Sequence, residues 1–220
     1  MIARTRALAI DTDLVALCDD DDLLFVTNGV GIVGIGQSAR VIVPRSDRSL
    51  TSVSAHAAFG NIEVIDELEI PGSGVVAFGA FPFDPNLDGE LIIPRIVIGR
   101  NVSGETWLTT IARQDDEPSE AEIEEVLGRT TRIGTGFARD AGLHSSTNSP
   151  SSFDIHPLRS PEDWCAAVTT ATERLAAGVA RKVVLARGIE IVTDRPISPS
   201  AVLSQLRRTF PASHLFLIDG

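Results

Sequence analysis

The sequence predicts an α+β fold of large antiparallel β-sheets with helices packed outside, and three observations point to it. From position 13 to 94, short β-rich runs alternate with turn residues, a regular spacing that favours antiparallel sheet. Beyond position 152 the pattern changes to helix, strand, helix, strand, an α/β rhythm. The length of 220 residues, 43% of them hydrophobic, suffices for one sizeable core or at most two small ones.

Each element has a local cause. Residues 23–27, 30–35, 39–43, 75–78 and 91–93 are apolar runs broken by turn residues and read as strands. Residues 95–99 and 106–112 flank the turn Asn101-Val102-Ser103-Gly104 and read as a further hairpin of the same sheet system. Helices are expected to be scarce in this half. A short one is predicted over 119–128, opened by the capping box of Ser119 and Glu122, with acids in its first turn, and closed at Gly128. Residues 145–152 (SSTNSPSS) are polar and serine-rich and mark a loop or linker. After it, Ser160 is an N-cap with Pro161 at the first helical position, and Trp164, Val168, Ala171 and Leu175 line one face of a helix that ends at Gly178. Residues 182–186 read as the next strand, Ser198 and Pro199 repeat the start signal for a helix through Arg208, and 214–218 is a last strand. The organisation is a β-rich N-terminal part over 1–143, a serine-rich loop or linker over 144–152, and an α/β part over 153–220.

Composition excludes several classes of function. A net charge of −11 offers no obvious basic face to neutralise phosphates, so no nucleic-acid partner is expected. No apolar run approaches the ~20 residues of a membrane span, and the stretch 7–10 is too short for a secretory signal, so a soluble, cytoplasmic protein with no membrane partner is expected. Cys18 and Cys165 are far apart and lack CxxC spacing, and read as ordinary thiols. His56, His144, His156 and His214 show no metal-ligand spacing and are assigned no role.

Three local patterns have structural readings. Gly29, Gly31 and Gly34 spell GxGxxG after an apparent strand, but a dinucleotide site needs a helix opening at the glycines, whereas 35–44 is β-branched and ends in Pro44. The glycines are therefore expected in a hairpin or bulge, and nucleotide binding would require a helix after Gly34. Asp19, Asp20, Asp21 and Asp22 lack the alternating ligands, glycine and terminal glutamate of a calcium loop, and a solvated turn is expected. The run Phe78-Gly79-Ala80-Phe81-Pro82-Phe83-Asp84, with Ile92-Ile93-Pro94-Arg95 further on, reads as a tight strand-turn segment with aromatic core anchors.

The sharpest feature is a lysine. Of the 19 basic residues 18 are arginine, and Lys182 is the only lysine. With a period of two, Lys182, Val184 and Ala186 share one face of their strand and Arg181, Val183, Leu185 and Arg187 the other. Both faces are mostly apolar, so the strand is expected to be central and buried, with the lysine at its mouth. Lysine can lose its proton near neutral pH and arginine cannot, which suits a general base. For such work a lysine pKa has to fall from about 10.4 to roughly 7 to 8, a shift that desolvation can supply. The structural alternative is a strand-end lysine snorkelling to solvent in a chain whose preference for arginine is compositional.

The block Gly178-Val179-Ala180-Arg181-Lys182-Val183-Val184-Leu185-Ala186-Arg187 resembles the KVVLAR segment of isochorismate synthases in the chorismate-utilising enzyme family. Residues 78–84 and Ile93-Pro94-Arg95 look like that family's N-terminal G-x-x-PFD and Pro-Arg elements in their usual order. The resemblance implies the α+β fold of chorismate-utilising enzymes such as aminodeoxychorismate synthase. It also implies a reaction of chorismate with water, in which hydroxyl enters at C2, the C4 hydroxyl leaves and the ring double bonds shift to give isochorismate for menaquinone or a siderophore. Lys182 is then the base that activates the water and Arg187 a structural partner in the same motif. A glutamate on the opposite side is the general acid, and Mg²⁺ held by further glutamates grips the substrate carboxylate. Ammonia-using anthranilate synthases typically carry Gln at the lysine position, so the resemblance points to water as nucleophile. Salicylate synthases and many aminodeoxychorismate synthases share a lysine there, so the lysine alone excludes neither, and a salicylate synthase is the alternative within the family.

Enzymes of this kind are longer, and their acid and metal-binding glutamates lie beyond the strand that corresponds to 214–220. The sequence is thus expected to be an N-terminal portion whose part 153–220 begins the catalytic α/β region and contains no metal ligand. It is expected to expose an apolar sheet face that a C-terminal half or an oligomer partner covers, and not to turn over chorismate unaided. A non-catalytic fragment or interaction module is the remaining expectation.

Overall fold

A computed structural model describes residues 1–11, 13–44, 51–84, 86–134 and 150–218. Its strands are β1 (Ile2–Ala7), β2 (Leu23–Thr27), β3 (Val30–Ile35), β4 (Ala39–Val43), β5 (Glu63–Asp66), β6 (Phe78–Ala80), β7 (Gly89–Ile93), β8 (Ile96–Arg100), β9 (Thr106–Ala112), β10 (Phe153–Pro157), β11 (Ile189–Thr193) and β12 (His214–Leu217). Its helices are α1 (Leu14–Leu17), α2 (Thr51–Phe59), α3 (Glu120–Gly134), α4 (Pro161–Ala176) and α5 (Pro199–Thr209). The chain divides into two compact units, Met1–Ala141 together with Ser198–Gly220, and Gly142–Ile197. The fold is the mixed α+β class with large multi-stranded sheets.

The first unit is organised by a seven-stranded sheet in the order β12-β2-β3-β8-β9-β1-β5. Its pairs are antiparallel except the parallel pair β1–β5. A second, antiparallel sheet runs β4-β7-β6. The period of two divides the core. Ile96 and Ile98 point into a cluster with Leu14, Leu17, Ile123 and Leu203, from α1, α3 and α5. Val97, between them, points the other way, into a cluster with Ala3, Ile62, Ile93 and Ile111. Where polar side chains enter the sheet they find partners: the Thr5 and Thr109 hydroxyls lie 2.8 Å apart, and the Gly74 amide donates to Thr5 Oγ1 at 3.1 Å.

The glycine pattern belongs to a hairpin. Thr27 pairs with Val30 across the two-residue turn Asn28-Gly29, whose φ values of 52° and 78° are those of a type I′ turn. Gly31 has φ 144°, and a Cβ there would lie 2.0 Å from the Phe25 carbonyl oxygen. A Cβ on Gly34 would lie 2.7 Å from Pro94 Cγ and 2.8 Å from the Phe78 ring. Gly34 sits inside β3 and the next element is the strand β4, so the helix that nucleotide binding requires is not formed and that alternative falls.

Several expectations need correction. Helices are few in the N-terminal half, but two unexpected ones form: α1 begins at an Asp13 cap whose carboxylate accepts from the Val15 amide at 3.1 Å, and α2 lies on the alanine-rich run 51–59. Helix α3 keeps its capping box, with the Ser119 amide donating to Glu122 Oε2 at 2.8 Å and the Glu122 amide to Ser119 Oγ at 3.3 Å, but it continues past Gly128 to Gly134. Docking of Ile123 and Val126 in the core outweighs the ~1 kcal/mol that a glycine costs inside a helix. In the segment 78–84 only Phe78 is a core anchor, packed with Leu23 and Ile92, whereas Phe81 is 43% exposed and Phe83 fully so. The chain leaves β6 after Ala80 and turns where the Asp84 carboxylate accepts from the Asn86 amide at 2.8 Å, and the odd positions 81 and 83 are in any case out of phase with Phe78 for a period of two.

The acidic run forms a turn, as expected, with Asp19 and Asp21 exposed, but it is not solvated throughout. Asp22 is 5% exposed, accepts from the Asp19 amide at 2.9 Å and is ion-paired with Arg129 of α3. Burial pushes its carboxyl up, against the hydrogen bond from Asp19 and the Arg129 charge. The Asp20 carboxylate is also raised by burial, but three hydrogen bonds from Ser200 and Ser198 outweigh that and leave it below the usual carboxylate range. Neighbouring Cys18 is buried, and burial with the charges of Asp22 and Asp19 holds its thiol up at about 12, unreactive at neutral pH. The opposed shifts are expected to appear in an NMR carboxyl titration, with Asp22 turning over above its ordinary value and Asp20 below. The signs differ in stability as well. Asp20 contributes stability that is lost as pH falls through its folded value, while Asp22 takes up its proton in the folded state first, so its contribution improves as pH falls towards the ordinary carboxylate value. Identical midpoints for the two would refute the assignment.

Candidate active site

The second unit carries the lysine motif. Strands β10 and β11 pair antiparallel, with Ile155 opposite Ile191, and the Leu158 amide donates to the Gly188 carbonyl at 3.0 Å just beyond the ladder. Asp194, at the other end, accepts from the Ser151 amide at 3.0 Å and from the Ser151 hydroxyl at 2.5 Å, and this bonding lowers its carboxyl below the usual range. The Asp194 tie has no signal in the sequence beyond the turn residues around it.

Helix α4 starts and stops as its sequence dictates. The Ser160 hydroxyl accepts from the Asp163 amide at 3.1 Å, and Pro161 opens the first turn. At the far end the Gly178 amide donates to Leu175 and the Val179 amide to Arg174, both at 3.0 Å, with Gly178 at φ 72°. This is a Schellman closure, and its left-handed residue sends the chain away from the helix axis into the segment 179–188. That segment is held again at its end, where a Cβ on Gly188 would meet Leu158 Cδ1 at 2.8 Å. The motif from Lys182 to Arg187 is thus suspended between two glycines, one required for its positive φ and one for close packing.

Lys182 and Arg187 both lie on this suspended segment and both are exposed. The strand expected over 182–186 is not formed. A strand needs a ladder on at least one side, and among the described residues none pairs with 182–188. The period of two persists in the exposures, with Val183 and Leu185 at 40% and Val184 at 79%. The expected burial of the segment is also absent, because no described residue of 150–197 is buried and Phe153, Ile155, Ile189 and Ile191 are open on the hairpin.

The N-terminal motif residues lie in the first unit and act structurally there. Pro94 and Phe78 close on Gly34. The Arg95 guanidinium donates to Asp116 at 2.7 Å and lies 3.8 Å from Glu122 of the α3 capping box. His144 lies outside the described residues. Among the described residues no group of three or more His, Cys, Asp or Glu side chains could hold a metal ion, and no helix is long and apolar enough to cross a membrane.

The protein is of the α+β class and carries its single lysine on an irregular segment between an amphipathic helix and a strand. The family of chorismate-binding enzymes matches residues 23–220, from the first residue of β2 onwards, and the chain belongs to that family. It is a chorismate-utilising protein of a family that is generally catalytic. No curated protein matches the sequence closely enough to be called a relative.

Proposed function

We propose that this chorismate-binding enzyme is an isochorismate synthase with Lys182 as its general base. The segment Lys182-Val183-Val184-Leu185-Ala186-Arg187 carries this reading, because it places the chain's only lysine where the resemblance puts the water-activating residue. The neutral amine takes a proton from water as the water oxygen bonds to C2 of chorismate. The ring double bonds shift, the C4–O bond breaks, and the departing hydroxyl takes a proton from a general acid. One water is added and one lost, so the net change is an isomerisation. Arg187 acts as a positioning residue in the same segment.

General-base chemistry by a lysine needs its amine desolvated. Val183, Val184 and Leu185 are the exposed apolar residues beside it, and in the working enzyme a covering surface, from further polypeptide or a partner, packs on them. The described residues do not build a magnesium site, and no step of the proposal runs through one.

A chorismate assay with and without Mg²⁺, on the polypeptide as the cell makes it and with its intact mass measured first, tests the proposal. Isochorismate in the proton NMR spectrum of the products supports it. Salicylate with pyruvate would assign a salicylate synthase instead, and unchanged chorismate would leave a non-catalytic binding module.

A further inference from the structure

We infer that α5 and β12 open and close as one unit, held shut by a polar latch whose principal part is Asp20. The chain returns to the first unit at Ser198, and there a single oxygen, Asp20 Oδ1, accepts from the Ser198 hydroxyl at 2.7 Å, the Ser200 amide at 3.0 Å and the Ser200 hydroxyl at 2.7 Å. The Ser198 hydroxyl accepts in turn from the Ala201 amide at 3.2 Å, so Asp20 orients the group that caps α5. Near the other end of the helix, Arg207 lies 3.5 Å from Asp13. Asp13 and Asp20 stand on either side of the four-residue helix α1, and α5 is gripped between them.

Apolar anchorage of the pair is thin. Leu203 is the one buried residue of α5, and Leu215 is the one buried residue of β12, while Val202, Leu206, Phe210 and Phe216 are exposed. In β8, by contrast, Ile96, Val97 and Ile98 are all buried. Among the described residues strand β12 is bonded to β2 alone. Leu203 and Leu215, with Leu217 and Ile218 partly buried beside them, work against the entropy of ordering the whole segment, so its polar ties contribute to keeping it closed. Opening would leave the backbone edge of β2 unpaired and available to another strand.

Native-state amide exchange of the full chain at neutral pH tests the latch. Asp20→Ala is expected to speed exchange in α5 and β12 together by about 10- to 100-fold, the loss of charge-assisted hydrogen bonds, while Val97, Ile98 and Leu108 keep wild-type rates. Asp20→Asn, which retains an acceptor oxygen, is expected to give a smaller increase in the same amides. Asp21→Ala, at the exposed neighbour, is expected to change nothing. Unchanged exchange in α5 and β12 of the alanine variant would overturn the proposal, as would loosening of α5 without β12, or equal acceleration in β8 and β9.

Discussion

On the proposed role of Lys182 as general base, replacing it by arginine is expected to abolish isochorismate formation while leaving the fold and chorismate binding in place. The substitution keeps the positive charge and most of the side-chain length, so binding that depends on charge alone survives. Arginine stays protonated throughout the accessible pH range and cannot accept a proton from water. A general base contributes on the order of 10²- to 10⁴-fold, so turnover should fall by at least about 10²-fold in Lys182→Arg and equally in Lys182→Ala. Lys182 belongs to no strand or helix, so circular dichroism should be unaltered by either change. Single-turnover consumption of chorismate separates the outcomes. Wild-type turnover in the arginine variant would remove Lys182 from the role of base.

Replacing Gly31 by alanine should destabilise the first unit by about 3 kcal/mol or more, a drop in Tm of about 10 °C. Two costs add. The residue has φ 144°, in the region that favours glycine, and the new Cβ would sit 2.0 Å from the Phe25 carbonyl oxygen, a backbone atom of the paired strand that cannot swing aside. Gly29→Ala is a graded comparison, because its φ of 78° is strained but its Cβ would meet only Arg207 Nη2, at 3.5 Å. It should cost about 1 kcal/mol. Thermal unfolding measures both. A Gly31 variant with unchanged Tm would contradict the hairpin account of the GxGxxG pattern.

Legibility followed the range of the interactions. The glycines of 29–34 were readable as a hairpin or bulge between apolar runs, and both later helices from Ser-Pro starts, because turn and cap chemistry act over a few residues. Strand β1 was obscured by its arginines: Ala3 and Thr5 face the core while Arg4 and Arg6 point out, a half-buried alternation within a run of only six residues. Strand β5 is acid-flanked and gains its place by parallel pairing with β1. Nothing near Gly128 announces that α3 continues, since that depends on Ile123 and Val126 meeting α1 and the sheet. At the candidate site, the identity of Lys182 and the helix end at Gly178 were legible, but the packing of Gly188 on Leu158 and the absence of a ladder partner among the described residues were not, because both depend on other strands.

By itself the sequence determined the α+β class, the capped starts of α4 and α5, the refusal of a nucleotide helix after Gly34, and the single lysine set in a motif resembling that of chorismate-utilising enzymes. Each follows from local stereochemistry or from the identity of a side chain. Only the tertiary structure decided that four consecutive aspartates split their work, Asp22 bonding inward to Arg129 and Asp20 fastening α5 from 178 residues away in the chain. It alone decided that the lysine segment stands exposed. Burial, desolvation and long-range hydrogen bonds depend on what the fold brings alongside a residue, and no local pattern encodes that.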